Sequence, residues 1–562
     1  MSSETTIDHL PLGSGAAGEK PWYLKYWVNM ALIAISAIML TFVASGFMSK
    51  GRPGTLTWGP TVDIDAIAIA LNQIYVGDMN GLGRKETALA VAKYVTETGD
   101  EMNIGNNGEL SADPKNVDEA IKFASRIYTP SLPPASLDSR VYITTYAEDM
   151  GFADFYYFAF KLFGFGAYST HYLFLTLLFA SSALFASGLW RSRPAMACLA
   201  FATTAFFLLT TSSLTFSDST RSLAANRFVG TLILLPTLHI LAFALDVRKP
   251  KTSELVAFIL QAALFAFVVT LRSTAQWAVL GLAAVCAAVY ISRAAMRYLL
   301  RKERSPGILY GLIDVSGTAR LVCGIGLAIV LASSWQGWRN SQLNVVYREG
   351  DVLPHHLRWH SAFLGLTLHP EWVNELPFKE LEGMWGDGLG WAVYDYRMAR
   401  DFPNSARVSP VSGSYRFTLA EEFLKEQTLT FIKQHPLYTV QLYGFYKPRL
   451  AVSSVFMLLQ GIPFFAWLLA LPTLLLGSLA AIGDKLRREE QLAGIILVSG
   501  ASFAPVIWAY PAPYVIGDQA LASMFAIMAS VALAASYASD RISLRLPARI
   551  WSRRREMQNV TT

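Results

Sequence analysis

Charge is scarce in this chain: Asp, Glu, Lys and Arg make up 16% of its 562 residues, apolar residues 53%, and the mean hydropathy is +0.35. That balance argues against an ordinary water-soluble enzyme. Cysteine is almost missing. Cys198, Cys286 and Cys323 each stand inside an apolar run and far from one another, so no disulfide framework and no CxxC metal pair can be written, and the redox compartment stays open. Also missing are a GxxxxGKS/T phosphate loop, a GxSxG elbow and a Rossmann glycine pattern after a strand. ATPase, serine-hydrolase and dinucleotide-dependent readings therefore lack their chemistry.

What the chain has in abundance is long apolar runs. A bilayer core of about 30 Å takes about 20 apolar residues of helix. Ten such runs stand near 27–47, 168–190, 194–216, 228–246, 254–271, 275–292, 318–336, 451–483, 491–510 and 514–538. The first follows a polar, acidic leader with no clear cleavage site and reads as a retained span rather than a signal peptide. The basic residues are one-sided. Segments on one side of the runs hold 21 Lys and Arg, whereas the short loops on the other hold Arg221, Arg227 and Arg272 alone. Lys and Arg accumulate on the cytoplasmic side, so both termini are expected there. This topology also accounts for the net charge of +6 and pI of 9.0 through anionic lipid headgroups, without nucleic acid as a partner.

The expected fold is an all-α polytopic membrane protein of about ten transmembrane helices with two large extracytoplasmic segments, in the cell inner (plasma) membrane. Residues 1–26 form a cytoplasmic tail, 27–47 the first span, 48–167 the first outer segment with membrane-surface helices, and 168–337 spans two to seven. Residues 338–450 form the second outer segment, 451–538 spans eight to ten, and 539–562 a basic cytoplasmic tail. Within the first outer segment, GDEMNIGNNGELSADP reads as an exposed loop between two helical patterns. The second, rich in Trp, His, Pro and Tyr, reads as a small irregular domain with few long helices. Its last part, LAEEFLKEQTLTFIKQHPLYTVQLYGFYK, has amphipathic helical spacing suited to the membrane surface.

Carboxylates gather at two places beside the membrane. Asp63 and Asp65 in WGPTVDIDAIAIALNQIYVGD stand just before an apolar helical run over 64–76, where either could cap the helix. Glu148, Asp149 and Asp154 stand in YAEDMGFADFYYFAFKLFGFG, ahead of an aromatic amphipathic helix. With the first span, the acidic opening of the outer loop, the membrane-surface helix and the approach KLFGFGAYSTHYLFLTLLFASSALF to the second span, residues 27–300 resemble the GT-C superfamily of integral membrane glycosyltransferases. These enzymes use polyprenyl-phosphate-linked sugars. The resemblance implies that an acidic residue of the first outer loop is the catalytic base, here Asp63 or Asp65, with Glu148, Asp149 and Asp154 as the second acidic cluster. No Pro-Pro-Leu tract stands at 152–156 and no adjacent Asp-Glu pair at 63–65, which leaves the subfamily unassigned.

The chemistry asks for the same residue types. An acceptor hydroxyl attacking an anomeric carbon must lose a proton to a carboxylate within hydrogen-bond reach. The departing lipid phosphate needs cations rather than a strong acid. Arg221, Arg272, Arg339, Lys447 and Arg449 stand at the outer membrane boundary as candidates, Arg272 the most informative because it lies between two closely spaced apolar runs. In the second outer segment His356, Trp359, His360 and Trp385 are candidates for a sugar or acceptor pocket, since aromatic faces stack on sugar rings and imidazoles bond hydroxyls. His356 and His360 would share a face if 355–362 were helical, yet no acidic residue completes a zinc pattern. No metal site is assigned, and a divalent cation is left open as a cofactor. The expected partners are a polyprenyl-phosphate sugar, a glycan or protein acceptor and membrane lipid. The alternatives are a lipid-linked glycan polymerase or ligase, or a secondary transporter.

Overall fold

The computed structural model describes residues 55–57, 82–84, 109–111, 140–142, 151–164, 169–189, 229–245, 250–271, 315–343, 358–366, 369 and 413–449. It also describes single helical positions: 34, 38, 69, 70, 73, 74, 275, 278, 279, 282, 283, 287, 291, 389, 390, 392 and 393. The expected spans at 194–216, 451–483, 491–510 and 514–538 lie outside the described residues.

The described residues are almost all helical. Two short antiparallel strand pairs are the exception: β1 (Thr55–Thr57) with β3 (Glu109–Ser111), and β2 (Leu82–Arg84) with β4 (Arg140–Tyr142). β3 falls inside the stretch expected to be an exposed loop. Its three residues alternate polar and apolar, which suits a strand as well as a loop.

The helices begin with α1 (Gly151–Phe163), which carries its one acidic residue, Asp154, in the first turn where the helix dipole favours it. Gly164 ends α1 at φ 75°, a left-handed conformation that glycine adopts without steric cost, and its carbonyl accepts the Ser169 hydroxyl at the start of α2 (Ser169–Leu189). A single 3-10 turn, Gly230–Ile233, leads into α3 (Leu234–Leu245). α4 (Thr252–Leu271) follows, then α5 (Val315–Gln342). α4 packs against α1, α2, α3 and α5 and is the centre of this bundle. Gln261 of α4 donates to the Ser181 hydroxyl of α2 at 2.8 Å, a polar tie inside an apolar interface.

Among the described residues α4 is the one helix long and apolar enough to cross a membrane by length and composition, and Tyr172–Gly188 of α2 is a shorter apolar helix. Most of the second half of α4 is buried. Its first half leaves Leu255, Val256, Ile259 and Leu260 exposed along one stripe. α5 likewise exposes Val322, Leu327 and Val330. It also runs past the apolar run 318–336, through WRNSQ, so that Arg339 belongs to its last turn rather than to a loop.

In the described part of the second outer segment α6 (Arg358–Leu366) packs on α7 (Gly413–Gln434), a helix of 22 residues that takes up most of the stretch with amphipathic helical spacing. His435 precedes Pro436, which opens α8 (Pro436–Gln441) at a helix position that tolerates proline. One π turn, Leu442–Tyr446, continues α8. Phe363, Leu364, Leu366, Leu389, Val393, Leu424, Phe431, Tyr438 and Leu442 form the core here.

Candidate functional site

Two of the residues singled out in the sequence meet in the fold. Asp154, 1% exposed, accepts a hydrogen bond from Nε of Arg339, 2% exposed, at 2.7 Å, so a carboxylate expected ahead of the aromatic helix is a buried residue of its first turn. Its other oxygen accepts a longer bond, 3.4 Å, from the Gln73 side-chain amide. Gln73 is buried beside Ile69 and Ala70. Burial pushes the Asp154 carboxyl above the ordinary carboxylate range, against the charge of Arg339 and the hydrogen bonds of Arg339 and Gln73.

The pair sits where three helices end or begin together. Gly151, three residues before Asp154, lies so close to the Thr270 carbonyl of α4 that no Cβ would fit. Thr270 in turn is two residues before Arg272, which itself lies outside the described residues. Rings tie the same helices: Phe158 of α1 meets Phe267 of α4 edge-on at 5.5 Å, Phe267 meets Trp335 of α5 at 6.1 Å, and Trp335 meets Trp338 at 5.4 Å. Aromatic contacts thus tie α1, α4 and α5 together, and α1 and α5 share the buried ion pair.

A second polar cluster belongs to α6, α7 and α8. The Glu421 carboxylate accepts the backbone N–H groups of Trp359 at 2.7 Å and His360 at 3.1 Å, so a residue of α7 satisfies the first turn of α6. Trp359 is half-buried with the Lys425 ammonium 5.9 Å over its ring. The His360 ring is buried against Gly390, where an added Cβ would stand 2.5 Å from Nε2. His369 stacks on Tyr438 at 3.7 Å and shares a hydrogen bond with Gln441, while the Tyr438 hydroxyl donates to the Leu366 carbonyl.

Lys447 is fully buried with its ammonium 4.6 Å over the Tyr443 ring, and burial lowers its pKa to about 7. Burial also pushes the Tyr443 hydroxyl up. Arg449, two residues on, is exposed. Asp63, Asp65, Glu148, Asp149, Arg221, Arg272, His356 and Trp385 lie outside the described residues. Of the sequence candidates, the fold pairs Asp154 with Arg339, sets Trp359 beside His360 on α6, and holds Lys447 and Arg449 on the continuation of α8.

Gln73 and Glu421 were missed. Gln73 left a signal, one of two adjacent amides, Asn72 and Gln73, in the apolar run IAIALNQIYV; Glu421, in an acidic pair on an amphipathic helix, left none that separates a long-range cap from a solvated face. Among the described residues no group of three or more His, Cys, Asp or Glu could hold a metal ion. No family model matches the chain, and no curated protein matches it.

Proposed function

We propose that this chain is an integral membrane glycosyltransferase that moves a sugar from a polyprenyl-phosphate donor to an extracytoplasmic glycan, lipid-linked glycan or protein acceptor. Ten spans cross the membrane, both termini are cytoplasmic, and the active site faces outward. The observation that carries the reading is the meeting of Asp154, Arg339 and Gln73 where α1 abuts the last turn of α4. An apolar helix bundle bears the cost of burying charge there, and intramembrane or boundary ion pairs mark working sites. That end is also the one from which the chain passes on to Arg272. The apolar runs, the one-sided basic residues and the exposed apolar stripes of α4 and α5 support the membrane placement.

In this reading Asp63 or Asp65 takes the proton of the acceptor hydroxyl as its oxygen bonds to the anomeric carbon. The bond from that carbon to the phosphate oxygen breaks, and polyprenyl phosphate leaves, its charge met by Arg272 and neighbouring cations. One displacement inverts the anomeric centre. Asp154 holds Arg339 in a fixed orientation and clamps α1 to α5, so it positions rather than reacts.

The test is mass spectrometry of surface glycans and lipid-linked sugars from cells lacking the protein. A defined sugar goes missing, its donor accumulates, and the wild-type chain restores both. An unchanged glycan and lipid profile contradicts the reading.

A further inference from the structure

The stretch from α8 to Arg449 has two faces that a plain helix would not produce. Leu437, Val440 and Phe445 are 70%, 67% and 56% exposed, whereas Tyr438, Leu442 and Lys447 are buried. At about 100° per residue, an unbroken α-helix would turn Phe445 toward the side of Tyr438 and Lys447 toward the side of Val440. The π turn reverses both. The Lys447 N–H donates to the Leu442 carbonyl five residues back, so the turn takes up one extra residue and rotates everything after it by one position. Phe445 then joins Leu437 and Val440 outside, and Lys447 joins Leu442 inside.

Beyond Glu426 of α7, charge as far as Arg449 has one sign. From 427 to 449 the chain carries Lys433, Lys447 and Arg449 and no Asp or Glu, and Lys433 and Arg449 are exposed. The apolar run 451–483 follows at once. Large apolar side chains on one face, exposed cations beside them and no acid complement an anionic lipid surface.

We propose that α8 and its π turn form a membrane-surface contact, with Leu437, Val440 and Phe445 in the acyl boundary and Lys433 and Arg449 against anionic headgroups. This rests on the membrane placement proposed above and is independent of glycosyl transfer. It gives the π turn a purpose: it keeps the one amine that would otherwise face lipid, Lys447, inside the protein.

The experiment uses the full chain in nanodiscs of phosphatidylcholine and phosphatidylglycerol in equal parts, with Cys198→Ser, Cys286→Ser and Cys323→Ser as background. Spin labels are attached at Leu437→Cys, Val440→Cys or Phe445→Cys, at Gln434→Cys as an exposed polar reference, and at Val256→Cys on α4 as a lipid reference. The ratio of collisions with oxygen to collisions with a water-soluble nickel chelate is expected to be several-fold higher at the three apolar positions than at Gln434→Cys. Water-like ratios there beside a lipid-like Val256→Cys overturn this proposal alone, and water-like ratios at Val256→Cys as well overturn the membrane placement with it. Shielding from both reagents identifies a protein partner or second copy and also overturns it. Adding Lys433→Glu and Arg449→Glu lowers the ratio at Val440→Cys in the anionic discs but not in phosphatidylcholine alone; equal ratios in both contradict the headgroup contact.

Discussion

Asp154 and Arg339 stand 185 positions apart and yet share a 2.7 Å contact in a buried setting. Removing one member of such a pair strands a charge, at about 3–5 kcal/mol, whereas replacing both with apolar groups of similar volume is often neutral. Asp154→Leu and Arg339→Met are therefore each expected to lower the stability of the detergent-solubilised protein by that amount. The double variant recovers most of the loss, as read from thermal unfolding; additive losses would contradict a coupled pair. Lys447 makes a pH prediction. Its folded pKa, about 7, lies below the ordinary 10.5 because of burial, so between those values the unfolded chain binds the proton that the folded one has released. Stability from this group rises with pH across that window. Lys447→Met is accordingly expected to unfold at a higher temperature than wild type near about pH 6, with the gap closing toward about pH 10; a constant gap would contradict it. Both residues of the ion pair stood out in the sequence because charge is rare there, but their pairing did not. Nothing in local spacing says which distant arginine an aspartate meets.

At the scale of elements, α6 depends on α7 for its beginning. Glu421 accepts two first-turn amides, and Glu421→Ala should cost about 1–3 kcal/mol, the range for buried donors left unmade or bonds lost to a charged group. Thermal unfolding measures the loss, with Glu421→Gln intermediate because its amide oxygen still accepts; an alanine variant as stable as wild type would contradict the cap. The apolar runs placed α2 and α4 within about two residues, since a helix that is apolar nearly all round is written in composition. The end of α5 was not readable that way. Its last turn is polar, and helix persists past the apolar run because the backbone hydrogen bonds do not require apolar side chains. The π turn was still less readable, for one extra residue in a helix changes facing without changing composition.

For the whole molecule, the sequence made the helical class plain and left the arrangement open. The bundle around α4 and the α6 to α8 cluster both depend on pairings between residues far apart in the chain, which hydropathy does not record. The proposed active site joins what periodicity could mark, a few charges at the edge of apolar runs, to what only the fold brings together, Asp154 with Arg339 and Gln73 beside the end of α4. The central claim is transfer from a lipid-linked donor with an outer-loop aspartate as base. The most direct measurement is release of polyprenyl phosphate from the donor identified in cells, by the purified chain in liposomes with acceptor present. The account predicts turnover by wild type and a loss of about 100-fold or more in Asp63→Asn or Asp65→Asn, the scale of a general base, with expression and folding unchanged. No turnover by wild type, or full turnover by both aspartate variants, would contradict it.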